Sequence, residues 1–124
     1  MSAAAKKIVK GFLDSDVFVN LEEFDNYIHK DLRMHWHASS GYREFNYDDY
    51  YRLCQSTASS YESMRSEVTH LIGDKKEVVA RFTVYVRTNE NPREEIPVGD
   101  FISIFKLENN QIIEVYQSSH LSQD

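Results

Sequence analysis

The sequence predicts an α+β domain: three N-terminal helices gathered on one face of a long, curved, mostly antiparallel sheet. Three observations carry this. Apolar residues recur at helical spacing through the first half of the chain, up to about Tyr61. From Met64 onward the period becomes two. A chain of 124 residues fits one domain, 1–124, with one core, since domains usually run ~100–200 residues. At 41% apolar and 13% aromatic residues the composition is that of a folded chain, which argues against disorder.

The elements follow in order. The first helix covers about Ala3 to Leu13, with Ile8, Val9, Phe12 and Leu13 on one face. The second begins near Asn20, a good N-cap. Glu23 three residues later completes a capping-box pattern, and Val17, Leu21, Phe24 and Ile28 form the apolar stripe. A short strand follows from Leu32 to Ala38 and ends in the loop Ser39-Ser40-Gly41. Asn46 caps a third helix and places Asp48 and Asp49 in its first turn, where carboxylates favour the positive helix end. Its face is Tyr47, Tyr50, Tyr51, Cys54, Ala58 and Tyr61, so much of the chain's tyrosine lies on one helix.

In the second half, Arg65, Glu67 and Thr69 alternate with Ser66, Val68 and His70, and Gly73 to Lys76 makes a turn. Val78, Ala80, Phe82, Val84 and Val86 then alternate with Arg81, Thr83, Tyr85 and Arg87, the pattern of a half-buried antiparallel strand. After a polar loop from Thr88 to Pro97, the strand Val98–Leu107 puts Phe101 and Phe105 on one side and Ile102 and Ile104 on the other. Glu108-Asn109-Asn110-Gln111 makes a hairpin, because Asn tolerates the left-handed conformation. The last strand runs from about Ile112 to Ser119. The outer sheet face is expected to carry Ile102, Ile104 and Val115. An apolar patch of that kind predicts a homodimer through the sheet face.

Several function classes are disfavoured. Fourteen basic against twenty acidic residues give a formal charge of −6, unsuited to phosphate-backbone binding. The cluster Lys6, Lys7 and Lys10 reads as a solvated helix face. No apolar run approaches the ~18 residues of a membrane span. Neither a glycosylation sequon nor a signal-peptide pattern occurs, so the expected setting is soluble and cytoplasmic. A single cysteine, Cys54, excludes an internal disulfide and a cysteine zinc site.

This order of elements resembles the NTF2-like superfamily and, within it, the SnoaL-like group. The best local match is Phe105 to Tyr116, an aromatic-led strand, a hairpin and then Glu114, Val115 and an aromatic. Asn109-Asn110 stands in the hairpin slot that relatives fill with Asp-Gly. Val79-Ala80-Arg81-Phe82-Thr83 and Asp31-Leu32-Arg33-Met34-His35-Trp36 are two further matches. The resemblance implies a cone, with the sheet wrapped around the helices and a pocket at the open end. Members use that pocket for isomerases, dehydratases, epoxide hydrolases and polyketide cyclases, or for plain binding, so fold alone does not settle function.

SnoaL-like cyclases close the last strand with a carboxylate base. Here the matching stretch, Tyr116 to His120, offers Gln117 and His120 instead. An imidazole titrates near neutral pH and can serve as a general base, so His120 and His35 are the candidate catalytic residues. His35 and His37 share a strand face, a spacing that also suits zinc or iron. No metal or cofactor is assigned, because sequence cannot supply the remaining ligands. Trp36 reads either as core or as pocket wall. The resemblance implies a wall drawn from Trp36, Tyr50, Cys54, Phe82, Phe101, Phe105 and Tyr116, suited to a small, largely apolar organic ligand. The expected function is binding of such a ligand, with a lyase or isomerase step using a His base as its extension. The alternative is a non-catalytic interaction and dimerisation module.

Overall fold

The computed structural model of the chain describes residues 2–122. Helix α1 spans Ser2–Asp14. A 3₁₀ turn at Leu21–Glu23 runs into the short helix α2 (Phe24–Tyr27), strands β1 (Ile28–Ala38) and β2 (Gly41–Asn46) form a hairpin, and α3 (Tyr47–Ser60) follows. Strands β3 (Tyr61–Asp74), β4 (Glu77–Thr88), β5 (Glu95–Glu108) and β6 (Gln111–Leu121) complete the chain. The six strands form one curved, unclosed sheet in the order β2-β1-β6-β5-β4-β3. All neighbours are antiparallel except β1 and β6, which run parallel because the chain returns to β1 only after building β3 to β5. This is the α+β cone that the sequence predicts. Among the described residues no helix is long and apolar enough to cross a membrane.

One face of the sheet packs on the helices. Val9, Phe12 and Leu13 of α1 are buried with Leu32 and Met34 of β1, Val78 to Val86 at alternate positions of β4, and Phe105 and Leu107 of β5. Asn46 caps α3 in a full capping box: its Oδ1 accepts from Asp49 N at 2.8 Å, and Asp49 Oδ2 accepts from Asn46 N at 3.1 Å. Asn109 and Asn110 both sit in the left-handed region, with φ of 53° and 64°, as a two-residue hairpin with right-handed strand twist requires.

Four sequence expectations need correction. Asn20 caps the 3₁₀ turn through Glu22 N, not an α-helical first turn in which Glu23 answers it. Ile28 opens β1 instead of ending a helix. Strand β2 was unforeseen, since Gly41–Asn46 is a largely exposed edge in which only Phe45 is half-buried. Val115 faces the core and is fully buried. A register irregularity between Lys106 and Leu107 makes Ile113 an extra residue, so Ile112 and Val115, three apart, both point inward.

On the outer face, a row of cross-strand neighbours runs Ile72–Val79–Ile104–Tyr116–His35. Ile104 is 39% and Tyr116 49% exposed. The His35 ring stacks on Tyr116 with centroids 4.6 Å apart, and its Nε2 lies 3.2 Å from Glu114 Oε2. Tyr116 donates its hydroxyl to the same carboxylate oxygen at 3.0 Å. Partial burial pushes the Glu114 carboxyl upward, but the hydrogen bonds from Tyr116 and His35 outweigh it and hold the group below its ordinary value.

Two predictions follow from these contacts. Replacing Asn46 with Ala removes the α3 cap and should cost about 1 kcal/mol of stability, read as a lower urea midpoint, whereas Asn46→Asp should retain most of it. Glu114 titrates lower in the folded than in the unfolded chain. Its contribution is therefore present above the unfolded value and lost as pH falls through the folded one, from about pH 5 downward. Glu114→Gln should accordingly shrink the drop in urea midpoint between pH 7 and pH 4. An unchanged drop would remove this carboxylate from the acid response.

Candidate functional site

The inner face of the sheet does not close completely against the helices. A chamber of about 190 Å³ remains between Phe12 and Leu13 of α1, Tyr50 and Leu53 of α3, and the inner rows of the strands. Trp36 of β1, Met64 and Ser66 of β3, Phe82 and Val84 of β4, Phe101 and Phe105 of β5, and Gln117 of β6 complete the wall. Alternation places them: Leu32, Met34 and Trp36 share a side of β1, as Phe101, Ser103 and Phe105 share a side of β5. The aromatic rings are mutually braced. Phe82 and Phe101 stack at 5.2 Å with 3° between planes, and Trp36 meets Phe45 edge-on at 5.8 Å.

Polar groups on this wall are uncharged. Ser103, fully buried, donates its hydroxyl to Gln117 Oε1 at 2.8 Å. That bond uses one of the amide oxygen's two acceptor positions, while the amide N–H groups have no hydrogen-bond partner among the described residues. The Trp36 indole N–H donates to Ser119 Oγ at 2.8 Å and fixes the ring plane. Burial raises the Tyr50 phenol well above its ordinary pKa, so it stays protonated and able to donate. The Thr57 hydroxyl is already directed at the carbonyls of Cys54 and Phe18. Among the described residues lining the chamber none is Asp, Glu, His, Lys or Arg.

Beyond the ring of Trp36, Val98 and Phe101 lies a second compartment of about 280 Å³ at the mouth. Its remaining walls are the Ala38–Ser40 turn, Arg43, Gly99, Ser119, His120 and Leu121. Gly99 is required by close approach: a Cβ there would stand 3.0 Å from the His120 carbonyl oxygen and 3.3 Å from the Phe101 ring. A larger, open hollow of about 600 Å³ lies along the start of β1 and the end of β2. It is bordered by Lys30, Asp31, Arg33, Glu44 and Asp49, charges of both signs that suit an apolar molecule poorly.

The sequence-predicted site residues separate into two groups. Trp36, Tyr50, Phe82, Phe101 and Phe105 come together around the chamber. His35, Tyr116 and Cys54 do not line it. The inward parity of Met34 and Trp36 turns His35 and His37 to the outer face, where His35 stacks on Tyr116. Cys54 is fully buried in the core, and burial pushes its thiol up to about 12, so it remains protonated and inert. His120 lies at the mouth, with Nε2 3.4 Å from Asp100 Oδ2 and its side chain 68% exposed. Sequence reasoning passed over Met64, Ser66, Leu53 and the pairing of Ser103 with Gln117, the latter singled out only as standing where relatives have a carboxylate. The pair carried a legible signal, since Ser103 is the one polar residue on the inward side of β5 between Phe101 and Phe105. No group of three metal-ligating side chains occurs among the described residues.

Comparison with known proteins matches this architecture. The chain resembles a proposed polyketide cyclase of Acidithiobacillus ferrooxidans at 18% identity, with a TM-score of 0.73 over 96% of this chain and 89% of that one. IdmH, a proposed polyketide cyclase of Streptomyces antibioticus, superposes with a TM-score of 0.71 at 15% identity, over 93% of this chain and 91% of its own. An LEH-like epoxide hydrolase of M. tuberculosis gives 0.65 at 13% identity, over 95% and 84%. At such identities the likeness shows the fold. No curated protein matches the sequence significantly. The sequence model of the SnoaL-like domain matches residues 15–115, most of the chain. The protein therefore belongs to the SnoaL-like domain family.

Proposed function

We propose that this chain binds a small, largely apolar organic molecule in the inner chamber and receives one of its oxygens at the Gln117 amide. The observation that carries the reading is the pairing of an aromatic wall with uncharged donors, Gln117 held by Ser103 and the protonated Tyr50. Apolar rings supply affinity, and a few placed polar groups fix orientation. A carbonyl or hydroxyl oxygen suits donors of this kind. At 190 Å³ the chamber alone is below the usual ~300–1,000 Å³ of ligand sites. Together with the mouth it falls within that range.

A lyase or isomerase step requires a group that takes a proton. His35 is on the far side of the sheet, so His120, at the mouth, is the candidate base for a substrate long enough to span both compartments. Binding is the primary reading because the chamber itself holds no such group. The outer row Ile72–Val79–Ile104–Tyr116 also supports the expectation of a homodimer through the sheet face, which would cover exposed isoleucines.

Trp36, the only tryptophan, stands in the wall and reports occupancy by its fluorescence. Titration with 2-nonanone should give a saturable change in emission. Ser66→Phe, which fills the chamber, should abolish it, and Gln117→Leu should weaken binding roughly 3- to 10-fold, the worth of one hydrogen bond. No saturable change, or one indifferent to Ser66→Phe, would sink the reading. For the dimer, sedimentation should show a two-chain species that Ile104→Lys converts to a folded monomer; a monomeric native protein at micromolar concentration would refute it.

A further inference from the structure

We propose that the molecule held by this chain carries an anionic group, a carboxylate or its equivalent, received at the mouth by Arg43. The inference rests on the chamber reading above and adds the class of ligand. Arg43 is the cross-strand partner of Trp36, so its side chain leaves the same inner face and reaches the rim just past the indole. It is the one guanidinium on either compartment. No carboxylate lies within 4.0 Å of it among the described residues, whereas Arg52 and Arg65 are paired with Asp49 and Glu95.

The rest of the rim has the same sense. Ser39 Oγ accepts from Leu121 N at 3.4 Å, which leaves its hydroxyl proton to donate outward, and Ser40 adjoins it. His120 adds a second basic side chain. Its partner Asp100 is held by the Thr83 hydroxyl at 2.6 Å and does not line the compartment. In a chain with twenty acidic residues, none of those described lines the mouth. A guanidinium and hydroxyls with no carboxylate among them, at the open end of an apolar chamber, fit an amphiphile: tail inward between the rings, anion outward on the guanidinium. Arginine suits this task because its fork can hold both carboxylate oxygens.

The test compares octanoate with 2-nonanone, its neutral isostere, by Trp36 fluorescence at low salt. Octanoate should bind at least 5-fold more tightly than 2-nonanone. Arg43→Gln should erase that margin by weakening octanoate at least 5-fold more than it weakens 2-nonanone, and Arg43→Lys should restore part of it. If both probes bind the native chain equally, or if the octanoate margin survives Arg43→Gln, the anionic inference is overturned and the chamber reading stands. If neither probe perturbs Trp36, the chamber reading fails and takes this inference with it.

Discussion

The sheet has one face to bury, and each strand must decide which alternate residues go there. That constraint organises the rest of the molecule. In β4 the decision is unambiguous, since Val78, Ala80, Phe82, Val84 and Val86 are buried to a residue. Cross-strand pairing carries the same parity outward to every neighbour. Phe82 pairs with Phe101, Phe105 with Val115, and Val115 with Met34. Once Met34 is inside, Trp36 is inside as well and His35 is outside. The placement of the imidazole, of the chamber wall and of Arg43 therefore follows from the burial of aliphatic residues that have no chemistry of their own.

The same inner rows explain why a chamber exists at all. Rings of neighbouring strands that stack or meet edge-on stiffen the sheet side of the chamber, and the Ser103–Gln117 pair adds polar atoms to it. An unfilled space in a core is destabilising. By the ~24 cal/mol per Å³ that cavities cost, 190 Å³ corresponds to an upper bound of about 4.6 kcal/mol if it stood sealed and empty. That is a large share of the ~5–15 kcal/mol by which domains are usually stable. Under the proposed binding function, an occupant of the chamber offsets that cost.

Much of the fold was legible where local signals and burial agree. Asn46 and Asp49 announce the start of α3, the alternation of β4 announces its buried side, and Asn109-Asn110 announces the last hairpin. Legibility failed where a tertiary decision overrides the local pattern. The bulge at Ile113 turns Val115 inward, which no count by twos can foresee. Strand β2 pairs at an edge and buries almost nothing, so it leaves no periodic trace. The tyrosines of α3 show the limit most clearly. Tyr50 reaches the chamber, Tyr47 and Tyr51 pack edge-on against Phe24 on the other flank, and Tyr61, expected on the same helix, instead opens β3. Their spacing on a helix was readable; which part of the arc faced the sheet was not.

For the site, the sequence pointed to five rings of the wall, Trp36, Tyr50, Phe82, Phe101 and Phe105, and not to the Ser103 hydroxyl that holds Gln117. Resemblance directs attention to a carboxylate on the last strand, and this chain has Gln117 instead. An amide cannot take a proton at ordinary pH, but with its oxygen held by Ser103 it becomes a fixed donor. Tyr50, kept protonated by burial, acts in the same sense. The described residues of the chamber thus offer hydrogen-bond donors and no carboxylate or imidazole. Such donors can orient an oxygen-bearing ligand without drawing a proton from it. The imidazole of His120 and the guanidinium of Arg43 line the mouth instead.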